Sequence, residues 1–134
     1  MSERVAAWIR QSLADLAHAR KALAEDSHDW TCYAASQAAE KALKAGLLAL
    51  GAESVWGHNL VALLDRIGKE AALEIPRTAL DDARVLTQFN VMARYPVGDE
   101  TIAPSDLLTR AQAVEAVAAA ERMIDLVQTH VLGT

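Results

Sequence analysis

Trp30-Thr31-Cys32-Tyr33-Ala34-Ala35-Ser36-Gln37-Ala38-Ala39-Glu40-Lys41-Ala42-Leu43-Lys44-Ala45-Gly46-Leu47-Leu48-Ala49-Leu50 decides the fold. Wound as a helix at about 100° per residue, it places Ala34, Ala38, Ala42, Ala45 and Ala49 on one face. Leu43, Leu47 and Leu50 fall nearly opposite, with Ala35, Ala39 and Gly46 between them on one side. The polar residues Gln37, Glu40, Lys41 and Lys44 share one narrow stripe, and Tyr33 projects along it. A helix apolar over well more than half its circumference is buried on two sides. The pattern therefore predicts a central helix whose small residues let its neighbours approach closely, or one that contributes to a dimer interface.

The flanking segments read as further helices. A first helix is expected from Glu3 to Glu25, capped by Ser2, with Val5, Trp8, Ile9, Leu13, Leu16 and Leu23 at three- and four-residue steps. Asp26-Ser27-His28-Asp29 breaks the pattern, and the second helix is expected from Trp30 to Leu50, capped by Asp29 and stopped by Gly51. A loop holding Trp56 leads to His58-Asn59, which opens a short helix from Leu60 to Ile67 that Gly68 ends or bends. Pro76 fits the first turn of the next helix, which carries Leu80, Ala83, Val85, Leu86, Phe89 and Met92. Tyr95-Pro96 stops it, because a residue before proline avoids the helical region. After a second loop, a final helix is expected from Ser105 to Leu132, capped by Ser105, with Leu108, Ala111, Val114, Ala118, Ile124, Val127 and Val131 inward. The acidic pair Asp81-Asp82 reads as a solvated face. Short connections make neighbours antiparallel. The expectation is an all-α fold, an up-and-down four-helix bundle with one short extra helix, in one domain over residues 1–134.

Composition agrees. The chain has 134 residues, of which 52% are hydrophobic and 23% charged, and about a fifth are Ala, the best helix former. That length can bury a core without disulfides or metals. A single cysteine, Cys32, forms neither an internal disulfide nor a thiolate cage, and a packed thiol is its expected state. No apolar run approaches the roughly 20 residues that span a bilayer. Met1-Ser2-Glu3-Arg4 leads directly into an amphipathic pattern rather than a signal peptide. The expected home is the cytoplasm, with no membrane association. A net charge of −5 argues against duplex DNA as a partner, since that role needs a dense basic face.

Three stretches carry a family resemblance. The helix from Trp30 to Lys44, with Gln37-Ala38-Ala39-Glu40-Lys41-Ala42-Leu43-Lys44 after an aromatic start, resembles the signature helix of the HEPN domain family. His58-Asn59-Leu60 resembles the family's His-x-Leu entry to a short helix, and Ala93-Arg94-Tyr95-Pro96 its Arg-Tyr-Pro ending. The likeness covers nearly the whole chain. It implies a helical bundle that dimerises. It also implies a partner, since many small bacterial members bind a minimal nucleotidyltransferase encoded beside them, often as toxin–antitoxin modules. Some members bind nucleotides; others are metal-independent ribonucleases that use an Arg followed four to six residues later by a His. Here the sequence departs. Arg10 and His18, Arg20 and His28, and Arg122 and His130 each have seven residues between them, and Arg94 has no His after it before His130. A role without catalysis is therefore favoured over ribonuclease activity, for which His58 and Arg94 are the only candidates. No cofactor is expected.

The resemblance and the residue chemistry together single out Tyr33, Gln37, Lys41, Lys44, His58, Arg94 and Tyr95 as candidate ligand-binding residues. Lys41 and Lys44 offer ammonium groups to a phosphate, and Tyr33 a ring on which a base can stack. The same stripe also reads as plain surface, with Glu40 and Lys44 an exposed i,i+4 ion pair worth a few tenths of a kcal/mol, which would make the chain a purely structural dimeric interaction protein. Arg94 can hold a phosphate bidentately, or can simply favour the helix C-terminus. His58 reads more readily as a helix-entry cap or hydrogen-bonding group than as a catalyst, and it is the best candidate for any acid–base chemistry. Asp15 and His18 could share a metal, but no second carboxylate–His motif accompanies them, so no metal site is expected. The functional reading requires the ionic residues of the second helix and the Arg94-Tyr95 pair to meet in a shared pocket.

Overall fold

The computed structural model describes residues 1–134 as six helices and no strands. The helices are α1 (Glu3–Ala24), α2 (His28–Ala49), α3 (Leu60–Glu70), α4 (Arg77–Met92), α5 (Pro104–Leu107) and α6 (Arg110–His130). The four long helices α1, α2, α4 and α6 form the bundle, and α2 is its hub, packing on α1, α3, α4 and α6. No helix is long and apolar enough to cross a membrane.

Local chemistry explains the boundaries. Ser2 caps α1, its side chain accepting from the Val5 amide. The turn to α2 bends through Asp26, at φ 58°, and α2 begins at His28 behind Ser27, two residues before the expected start. Thr31 Oγ1 donates to the Ser27 carbonyl at 2.8 Å and reinforces that first turn. Asn59 caps α3 by accepting from Ala62 N, and α3 runs through Gly68 to Glu70 rather than stopping there. Gly68 serves proximity instead: a Cβ there would lie 2.9 Å from Ile75 Cγ1. Pro76 stands just outside α4 as its N-cap rather than within its first turn.

The chain's last segment differs most from expectation. It is two helices, because Leu108 leaves helical geometry (ψ 129°) and Thr109 restarts the chain with a capping box to Gln112. Ser105 caps nothing; Ala103 is the N-cap residue of α5. The restart also rotates the buried face. Ala113, Ala116, Val117, Ala120, Met123, Ile124 and Val127 point inward, whereas Ala111 and Val114 are exposed.

The core runs along α2. Leu43 and Leu47 are fully buried with Leu64, Ile67, Leu86 and Val127. Each such side chain contributes about 1.5–3 kcal/mol through burial. Gly46 sits where α2, α3 and α6 converge, and a Cβ there would lie 3.2 Å from both Ile67 Cδ1 and Val127 Cγ1. The buried polar side chains of the core are paired, and His28 Nε2 at the start of α2 is the one buried side-chain nitrogen or oxygen left without a hydrogen-bond partner. Ser12 Oγ donates to the Ala38 carbonyl at 2.6 Å and ties α1 to α2. Asp82 is buried, not solvated, and takes a bidentate pair of 2.9 Å hydrogen bonds from Arg122 across the α4–α6 contact. Asp81 alone stays on the surface, paired with Arg84.

Candidate functional site

The polar stripe of α2 lies along the groove-like seam between α1, which Lys41 reaches through Asp15, and α4 with the α2–α3 loop, which Gln37 and Glu40 reach through Asn90 and His58. α4 runs antiparallel to α2 and meets it in three steps. Near the end of α2, Thr87 Oγ1 donates to the His58 carbonyl at 3.1 Å and accepts from the Leu60 amide at 3.0 Å, clamping the loop onto α4. In the middle, Gln37 Nε2 donates to Asn90 Oδ1 at 3.3 Å. Near the start of α2, the Arg94 guanidinium lies 4.6 Å from the Tyr33 ring centroid and 5.1 Å from that of Tyr95. Trp30 meets Tyr33 edge-on at 6.0 Å.

Glu40 is the centre of the C-terminal half of this line. It is only 4% exposed, yet it is an acid on a helix. A buried carboxylate must be paired. Lys44 Nζ donates to one oxygen at 3.2 Å, and His58 Nδ1 lies 2.9 Å from the other. Lys44 is itself buried, so the Glu40–Lys44 pair is not the exposed ion pair that its spacing suggests. His58 stays exposed at its far edge. A carboxylate against Nδ1 of an exposed imidazole is the arrangement by which an acid orients a histidine general base. Asn59, not His58, supplies the cap of α3.

The structure does not gather the expected residues into one pocket. Arg94 packs beside Tyr33 and His58 beside Glu40, positions that lie two turns or ~10 Å apart along α2. They share a groove, but that span is too long for both to hold one phosphate. Lys41 turns to the other wall and forms an ion pair with Asp15 of α1. Asp15 also accepts from Gln11, so it is committed to Lys41 and Gln11 rather than to His18. Arg94 serves its helix end as well, with Nε donating to the Asn90 carbonyl at 2.8 Å. Tyr95 is exposed beside it.

Sequence reading missed several contributors. Glu40 appeared only as half of a surface pair, and Asn90 and Thr87 carry no motif. Arg4, Trp8 and Trp56 line a cavity of about 490 Å³ with Lys44, Val55 and His58. The four-residue step from Arg4 to Trp8 was the available signal, since it puts both on one face of α1. Cys32 is buried near the start of α2, and burial, helped by the charge of Asp29, pushes its thiol up to about 12.

Comparison with known proteins gives a consistent answer. Among solved structures, TT1696 from Thermus thermophilus is similar at 31% identity and a TM-score of 0.88, over 96% of this chain and 99% of that one. ST0689, an archaeal HEPN homologue, is similar at 30% identity and a TM-score of 0.79, over 97% and 99%. The HEPN domain protein tm0613 of Thermotoga maritima is similar at 28% identity and a TM-score of 0.72, over 91% and 94%. No curated protein matches the chain. The HEPN domain profile matches residues 5–130, from the core residue Val5 of α1 to the end of α6, and the chain belongs to the HEPN domain family.

Proposed function

We propose that this protein is a HEPN-type binding and regulatory module that works without catalysing a reaction. Its partner would be a minimal nucleotidyltransferase, in a toxin–antitoxin-like pair in the cytoplasm, with the module itself a homodimer. A nucleotide or RNA phosphate would lie along the groove. The carrying observation is the continuous polar line on α2, with Arg94 stacked on Tyr33 at one end and Lys44 beside His58 at the other. A single mononucleotide is too short to fill both ends, so a single-stranded RNA or dinucleotide suits the span better. Stacking on Tyr33 and charge from Arg94 and Lys44 are sequence-tolerant contacts of the kind such ligands use. The test is a titration with AMP and with a short single-stranded RNA, following backbone amide resonances. Saturable shifts at Tyr33, Lys44 and Arg94 support the site, and unmoved resonances remove it. Co-purification with a nucleotidyltransferase encoded next door tests the partner.

The Glu40–His58 pair supports a second reading, a metal-independent ribonuclease with His58 as base. RNA cleavage in chelator that His58→Ala abolishes would establish it.

A further inference from the structure

The cavity between the first turns of α1 and the α2–α3 loop has a composition of its own. Trp56 is 85% exposed, although burying an indole is ordinarily favourable. It shares the cavity wall with the half-buried Trp8, so two indoles border one open space. Arg4 reaches in from α1 and donates one N–H to the Glu53 carbonyl at 2.6 Å. A guanidinium carries five donors, so four remain for a ligand. Lys44 contributes at the floor. The Lys41–Asp15 pair beyond Trp8 closes on itself.

Charge selects the ligand. The cavity has two cations, Arg4 and Lys44, and one anion behind them, Glu40, which is bonded to both Lys44 and His58. These three groups sum to +1, which one negative charge satisfies and a polyphosphate exceeds. A volume of about 490 Å³ falls within the range of small-ligand sites, roughly 300–1,000 Å³. The walls call for a flat ring, and Arg4 calls for a planar, bidentate acceptor.

We propose that this cleft binds an aromatic monocarboxylate, with its ring against Trp8 and Trp56 and its carboxylate on Arg4, assisted by Lys44. The site shares Lys44 with the phosphate reading of the groove but requires neither Tyr33 nor Arg94.

The indole N–H resonances of the tryptophans report directly. On titration with indole-3-acetate, those of Trp8 and Trp56 shift saturably, while that of Trp30, on the first turn of α2, stays in place. Indole-3-acetamide, which lacks the charge, binds about tenfold more weakly or worse, as does indole-3-acetate to Arg4→Gln. Trp56→Ala weakens binding similarly. Arg4 and Trp56 are both exposed, so these variants leave the core intact. A Gly-Gly-Trp peptide with a free C-terminus, run alongside, separates a chain end from a small molecule as the source of the carboxylate. Unshifted Trp8 and Trp56 resonances, equal binding of the amide, or indifference to Arg4→Gln each overturn the proposal. So does AMP moving the same two resonances at lower concentration than indole-3-acetate, an outcome that leaves the nucleotide reading standing.

Discussion

Nδ1 of His58 lies 2.9 Å from the Glu40 carboxylate, joining an exposed loop residue to a buried acid on the central helix. With Lys44 on the other oxygen, the two partners come from separate segments, 18 and 4 residues along the chain. Glu40 is therefore a fastener between loop and bundle as well as a counter-charge.

Removing it leaves Lys44 buried without a partner. Glu40→Ala is expected to cost about 3 kcal/mol, since breaking a buried pair from one side strands the other charge. The double variant Glu40→Leu/Lys44→Met should recover most of that loss, because both charges leave together. Urea unfolding of the single and double variants measures both. If Glu40→Ala costs no more than a few tenths of a kcal/mol, the carboxylate is not the fastener described.

The restart at Thr109 makes a paired prediction. Thr109→Ala removes a side-chain cap and should lower stability by about 1 kcal/mol. Ser105→Ala, at the position where the sequence suggests the cap, should change stability by less than about 0.5 kcal/mol. Thermal melts of the two variants discriminate, and a reversed order would mean one continuous final helix.

Much of the fold was legible. Three- and four-residue spacing of apolar residues located the four long helices, because that spacing is set by burial against a core. The break at Leu108-Thr109 was not legible, since Leu108 itself is buried and keeps the apolar rhythm across it. Reading one helix there carried Ala111 and Val114 to the wrong face. The candidate site was legible on α2 alone, where Tyr33, Gln37 and Lys44 share one stripe of the helix. Partners drawn from remote segments were not. Asn90 and Thr87 are ordinary helix residues until α4 lies antiparallel to α2, and Asp15 meets Lys41 only through the pairing of α1 with α2.

Gly46 admits little else. Alanine there gains about 1 kcal/mol in helix propensity. Its Cβ would press on Ile67 and Val127, both fully buried and unable to retreat, at an overpacking cost of about 1–3 kcal/mol. Gly46→Ala should lower the denaturant midpoint, with a net loss of about 1 kcal/mol. A raised midpoint would show that the three helices can separate slightly.

Cys32 should be silent to alkylating reagents. Only the thiolate reacts, and its pKa is pushed up to about 12 by burial. The folded thiol keeps its proton where the unfolded one, near 9.0, has lost it. The resulting stability is present in full below pH 9 and fades as pH rises toward 12. Iodoacetamide at pH 8.5 should label the unfolded chain and spare the native one. Cys32→Ser should flatten the decline in stability above pH 9.

The crowding of α2 has an evolutionary corollary. A hub whose inward positions are mostly Ala, Gly and Leu under pressure from four neighbours has almost no room to vary. Relatives that diverge in what they recognise must then do so at the periphery, by exchanging side chains on the first turns of α1, the loop before α3 and the tail of α4. The innermost helix would persist as a fixed chassis, while its rim is retooled from one lineage to the next.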